Sequence, residues 1–374
     1  MTIQRKQGVL QGVWDGLRLF PFSLSVGVCS GFGLAGGLAT AAICGLCGIV
    51  FGAAFCPTYL ALLPVFSLAF RFGAGSAGAA LVLGGVFTFL WSLLPEKARA
   101  RLCDPAVYAG LIPAAAFITT ALQTTNYFGI GAVGGTVREI VADYISLGFH
   151  PNWRGVLYGT IALVLLITYP RKFKRLHKMI SPAFATLLIV LPLNLFLVPV
   201  AVHTPINEIG SMDWHTFCDH VFLRGAFTPG MIPYVLCAAL SIALLTAGSL
   251  PTGGARQLSA VHLLTGFLGG APCETDGKPR SRIGALVCTA LAVGLYFVPG
   301  LARMPLHAAA VILIVTAWQS LPKDAIRAAF RTRRGILLFF CALLLPVLTD
   351  ILYAVPLLAA LGALIKNKSN KPQL

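Results

Sequence analysis

The sequence predicts an all-α polytopic membrane protein with about fourteen transmembrane segments. Three observations carry this. The mean hydropathy is +0.84 and only 11% of residues are charged, against about 25% in soluble domains. Apolar stretches recur from Trp14 to Ile365 with short polar breaks, and about 20 apolar residues are needed to cross a hydrocarbon core. The basic residues fall in clusters on alternate breaks.

In chain order the spans are 15–33, 34–53, 56–70, 76–94, 105–129, 155–169, 180–200, 228–248, 257–270, a very short one at 272–277, then 283–301, 306–320, 334–347 and 350–365. The loops test this set. With the N-terminus in the cytoplasm, 22 of the 28 Lys and Arg lie on inner segments and 5 on outer ones, with Arg18 inside the first span. Both termini are therefore expected to be cytoplasmic. RKFKRLHK at 171–178 reads as an inner anchor, and the outer segments 130–154 and 201–227 hold Glu139, Asp143, Glu208, Asp213 and Asp219. The polar tail KNKSNKPQL is too short to fold, so the chain reads as one membrane domain over 1–374 without a soluble domain. Arg5 and Lys6 precede an apolar run that continues past a signal-peptide core, so this segment is expected to be retained.

Composition excludes other classes. The net charge of +16 sits in loops between spans without any nucleic-acid motif, so no nucleic acid is expected as partner. The spans hold neither a nucleophile–base pair nor a metal-ligand set, which speaks against an enzyme. His203, His215, Cys218 and His220 form a metal-like group whose spacing matches no established site, and they read as an outer loop. Cys44 and Cys47 read as helix packing, as do Gly33, Gly36 and Gly37. Asp15 and Asp350 read as carboxylates serving helix ends near the membrane faces.

Two sets of seven spans, each with an unusually short segment in a corresponding position, point to an inverted repeat. The first short piece begins at Ala54-Phe55-Cys56-Pro57-Thr58 and the second at Gly269-Gly270-Ala271-Pro272-Cys273-Glu274-Thr275. In each, a proline and a threonine suit the first turn and cap of a helix. Two such helix N-termini facing each other would present free N–H groups to an anion, each worth about 1 kcal/mol.

The residues resemble the sulfate permease (SulP) family of anion transporters over most of the chain. The resemblance is carried by Asp15-Gly16-Leu17 with Pro21 and a glycine-rich second span, by CPTYLALL at 56–63 and by DPAVYAGLIPAAAFITTALQTTNYFGI at 104–130. LLTAGSLPTGGARQLSAVHLLTGFLGGAP at 244–272 and MPLHAAAVILIVTAW at 304–318 complete it. The resemblance implies a core over about 1–94 and 225–303 that carries the substrate past a gate over about 95–224 and 304–374, by elevator-like alternating access. It also implies a homodimer in the cell (inner) membrane, with no cofactor beyond a coupling ion, H+ or Na+. Carried over residue by residue, the substrate site comprises Phe22, Ser23, Cys56, Pro57, Thr58, Ser241, Ile242, Pro272, Cys273 and Glu274.

Three departures from the family are visible. No STAS domain follows the last span; Ile242 stands where many members have a glutamate; and Cys273-Glu274-Thr275-Asp276-Gly277 runs straight into Lys278-Pro279-Arg280, so that about ten residues of the tenth span are missing. Glu274 would repel an anion unless protonated or paired with a cation. The function implied is a secondary transporter or exchanger of sulfate, bicarbonate or a carboxylate. The alternatives are a permease of the same fold for nucleobases or aromatic carboxylates, and a degenerate membrane scaffold or partner subunit that does not transport.

Overall fold

The computed structural model describes residues 3–30, 32–177, 180–196, 229–248, 250–279, 282–296 and 305–369. The His203, His215, Cys218 and His220 group and the Asp15 side chain lie outside the described residues.

The chain is mostly helical. The first part contains α1 (Ile3–Ser30), α2 (Gly33–Phe51), β1 (Ala53–Pro57), α3 (Tyr59–Phe72) and α4 (Ala74–Leu93). Next come α5 (Glu96–Leu102), α6 (Pro105–Phe128), α7 (Val137–Leu147), α8 (Trp153–Lys172), α9 (Lys174–His177) and α10 (Pro182–Phe196). After a 3-10 turn, Pro229–Met231, follow α11 (Ile232–Ala247), α12 (Thr252–Phe267), β2 (Cys273–Pro279) and α13 (Arg282–Tyr296). The chain closes with α14 (Leu306–Gln319), α15 (Lys323–Ala329), α16 (Arg333–Leu348) and α17 (Ile351–Ser369).

Polar residues at the ends explain many boundaries. The Asp104 carboxylate caps α6 by accepting from the Ala106 N–H at 2.9 Å, with Pro105 in the first turn. Thr136 and Glu139 cap α7 reciprocally, and Thr332 caps α16. Asp350 accepts from the Leu352 N–H at 2.9 Å, so this carboxylate serves a helix start as its sequence position suggests.

Among the described residues, three helices are long and apolar enough to cross a bilayer unaided: Gly75–Leu93, Pro105–Phe128 and Trp153–Lys172. The pair α14 and α15 is long and apolar enough only when taken together, bent by 48° at its break. Seven shorter apolar helices accompany them. Large apolar side chains such as Phe89, Leu90, Leu188, Leu286, Leu337 and Leu357 face outward. In a bilayer such a surface meets acyl chains and carries no hydrophobic penalty.

The helices form two packed groups. In one, α12 and α11 lie on α4, while α13 lies on α2 and α1. In the other, α6 carries α16 and α14, and α8 sits between α14 and α10. The groups meet where α1 touches α14, α11 touches α17, and α3 touches α6 and α17. Small residues set the spacing inside the first group. A methyl group on Gly27 would meet the backbone of Gly37 and the Gly33 carbonyl oxygen, the latter at 2.6 Å; one on Gly37 would meet the Ser23 carbonyl oxygen at 2.6 Å. Gly36 likewise lies against Phe32 and the Gly269 carbonyl. Gly33 differs, for it has open space around it and a φ of 70°, so it supplies a left-handed turn between α1 and α2. Gly27→Val should therefore force α1 and α2 apart, at about 2 kcal/mol or more. A melt of the purified protein would show this as a lower Tm, whereas Gly253→Ala, in open space, should leave Tm unchanged.

One expectation is corrected. The segment 272–277 is not a short helix. It belongs to β2, antiparallel to β1, with Cys56 opposite Glu274, Pro57 opposite Cys273 and Ala53 opposite Pro279. Cys-Glu-Thr-Asp-Gly-Lys-Pro has no apolar helical period, and Gly277 and Pro279 disfavour a helix. The open edge of β1 supplies backbone partners instead. After β1 the chain continues as α3, but after β2 it begins α13 at Arg282. Seven strand residues advance about 23 Å, so β2 covers with extended chain much of the depth that β1 and α3 share.

Candidate functional site

The two strands pair inside the first helix group, against α1, α2, α11 and α12, and their residues come together there. Thr58 caps α3: its hydroxyl accepts from the Leu60 N–H at 3.3 Å, and its own N–H donates to the Pro272 carbonyl at 3.0 Å. The Cys56 thiol lies 4.0 Å from Glu274 Oε1 and 3.9 Å from the Glu274 carbonyl oxygen. Thr275 Oγ1 donates to the Ala54 carbonyl at 2.7 Å. Thus Cys56, Pro57, Thr58, Pro272, Cys273 and Glu274 form one cluster. Pro57 ends β1 rather than opening a helix, and among the described residues one helix N-terminus, that of α3, reaches the cluster.

The turn that delivers β2 is built from small residues. Gly269 has a φ of 68°. The Ala271 N–H donates to Thr40 Oγ1 at 2.7 Å, and a side chain on Gly270 would press that same oxygen at 2.9 Å. Cys273 is fully buried, its sulfur 3.4 Å from that of Cys44. His262 Nε2 lies 2.8 Å from the Cys273 carbonyl oxygen and 3.3 Å from the Cys273 N, within hydrogen-bond reach of both backbone groups of that residue. A histidine inside α12 thereby holds the strand from behind.

The remaining sequence-predicted residues lie on α1, which touches β1, and on α11, which touches β2. Ser23 donates to the Leu19 carbonyl at 3.1 Å within its own helix. Phe22 packs on the main apolar core. Ser241 donates to the Leu352 carbonyl of α17 at 3.0 Å. Ile242 is fully buried against Gly84 of α4, 3.1 Å from where that residue's Cβ would stand. Sequence reasoning missed two phenols. Tyr59, in the first turn of α3, hydrogen-bonds Ser320 after α14, which ties the strand crossing to the second helix group. Tyr108 of α6 donates to the Leu245 carbonyl at 3.1 Å.

The boundary between the two helix groups has unlike ends. At the end near Arg71, that arginine pairs with Asp350 at 3.1 Å and Glu139 at 3.2 Å, and Ser67 donates to Asp350 at 2.6 Å. Asp350 is only 6% exposed. The network joins α3 to α7 and α17. A cavity of about 270 Å³, lined by Cys29, Phe66, Thr125 and Asn126 among others, lies nearby. At the other end of α4 a cavity of about 570 Å³ opens between α11 and α5, α6 and α17, with Arg99, Cys103 and Tyr108 in its wall.

This arrangement of paired strands inside a two-group helical bundle is a fold shared with solved membrane-transporter domains. The transmembrane domain of the cyanobacterium bicarbonate transporter BicA superposes with a TM-score of 0.73 at 15% identity, covering 95% of this chain and 98% of that one. SLC26A9 matches with 0.72 at 11% identity over 100% of this chain and 67% of that one. Murine Slc26a9, an anion transporter captured in the inward-facing state, gives 0.69 at 11% identity over 97% and 69%. No family model and no curated protein sequence matches the chain.

Proposed function

We propose that this protein is a secondary active transporter or exchanger of small anions, of the sulfate, bicarbonate or carboxylate class. The observation that carries the reading is the strand crossing, where the N-terminus of α3 opens beside Glu274 and touches the second helix group through Tyr59 and Ser320. The two packed groups act as core and gate, built as a 7+7 inverted repeat of fourteen spans. The packing of α13 on α2 and α1 mirrors that of α4 on α12 and α11, which supports the repeat. The Arg71 network serves as the closed outer end, and the larger cavity beside Arg99 as the open inner end. Both termini are cytoplasmic, and the protein works as a homodimer in the inner membrane.

Glu274 gives the site its coupling. A carboxylate about 5 Å from a bound anion costs about 3 kcal/mol at an effective dielectric of 20. The anion therefore binds when Glu274 is protonated or shares the site with a cation. With the Cys56 thiol beside its Oε1, the Glu274 carboxylate takes up a proton as the coupling ion, and proton and sodium gradients imposed separately distinguish H+ from Na+.

The test is uptake of labelled sulfate, bicarbonate and a C4-dicarboxylate into proteoliposomes, with and without proton or sodium gradients. Saturable uptake of one anion, driven by an inward proton gradient, is expected. A second reading, a degenerate scaffold, draws on the missing helix after β2; no uptake of any anion by correctly inserted protein would favour it.

A further inference from the structure

The cavity of about 570 Å³ contains none of the residues at the strand crossing. Most of its wall is apolar, with Leu102, Val107, Leu111, Leu244, Val355 and Ala359. Set into that wall is one arginine. Arg99 is only 7% exposed; its Nη1 donates to the Leu250 carbonyl at 2.7 Å, and its Nε has no hydrogen-bond partner. Among the described residues no carboxylate forms an ion pair with it. Asp104, also in the wall, is engaged by Arg334 at 2.7 Å and by the Ala106 N–H. A buried guanidinium with an orphan N–H is costly unless an anion completes it.

We infer that this cavity is a binding site for an apolar monocarboxylate, an alkyl or aryl acid, whose carboxylate pairs with Arg99 and whose hydrocarbon body fills the space between α11 and α17. The chemistry selects each part of the ligand. A planar carboxylate matches the guanidinium fork. The apolar wall rewards a hydrocarbon body, and the volume falls within the range of small-molecule sites. A single charge is favoured because Glu96 and Asp104 also line the wall and would repel a second. The site is distinct from the strand crossing proposed for the transported anion. Its ligand would wedge the core against the gate and stop transport by filling the inner end of the path; that consequence alone rests on the transport reading.

Binding is read on the protein itself, so it succeeds or fails whether or not any anion is transported. In phosphatidylcholine nanodiscs, octanoate should raise Tm saturably, while octanol at equal concentration should not. Arg99→Gln should weaken octanoate binding about tenfold or more, and Arg99→Lys, which keeps the charge without the fork, by a smaller factor. Ala359→Leu, which fills the apolar half and leaves Arg99 in place, should also weaken it and serves if Arg99→Gln does not fold. Equal shifts with octanoate and octanol, or octanoate affinity unchanged in both Arg99→Gln and Ala359→Leu, would overturn the inference.

Discussion

Replacing Asp350 by asparagine is expected to make Cys29 react about 30- to 150-fold faster with a membrane-impermeant thiol reagent, since each step of about 1.4 kcal/mol in a two-state equilibrium is a factor of ten. Cys29 is 4% exposed and lines the cavity next to the Arg71 network. Asp350 holds that network together, bonding Arg71 and Ser67 while capping α17. Loss of its charge leaves Arg71 with Glu139 alone, a pair whose side chains are 29% and 41% exposed and therefore weak. Breaking a buried ion pair costs about 3–5 kcal/mol. The partial exposure of Arg71 places this case at about 2–3 kcal/mol. If the network closes one end of the core–gate boundary, that energy is released into opening, and Cys29 is uncovered. Cys288, buried between α13 and α2 away from the boundary, must stay unreactive. Labelling of both cysteines would mean that Asp350→Asn unfolds the protein, and unchanged labelling of Cys29 would remove the network from the gating scheme.

The second large effect concerns Glu274. Wild-type uptake should fall as pH rises, because the ionised carboxylate repels the substrate and the protonated one does not. Glu274→Gln should keep its uptake at high pH and lose the pH dependence. A repulsion of about 3 kcal/mol corresponds to about a hundredfold in KM at the high-pH limit. Glu274→Asp should retain the dependence. A wild-type profile that rises with pH would assign the carboxylate to a metal cation or to structure.

Much of this was legible in the sequence. At 54–58 the threonine before an apolar run gave the cap of α3 at Thr58, but Cys56 and Pro57, read as the start of the span, belong to β1. The same signal misled at 272–277. Pro272 and Thr275 look like a helix start, but the residues between and after them have no apolar face to bury, and β1 offers an edge to pair with. Ser241 and Ile242 illustrate another limit. In a uniformly apolar helix periodicity does not reveal partners, so the contacts of Ser241 with Leu352 and of Ile242 with Gly84 had no signal in the sequence. Tyr59, Tyr108 and His262 left no spacing signal, since each acts through a residue distant in sequence. The Arg71 network was equally hidden: Arg71 and Asp350 are 279 positions apart.

The most direct test of alternating access at the strand crossing is counterflow. Proteoliposomes loaded with unlabelled substrate, then diluted into a trace of labelled substrate without an ion gradient, should accumulate label transiently above equilibrium. A carrier whose site faces one side at a time predicts that overshoot, and Glu274→Gln should still show it at high pH. Monotonic equilibration without overshoot, by protein that does pass the anion, would contradict the account.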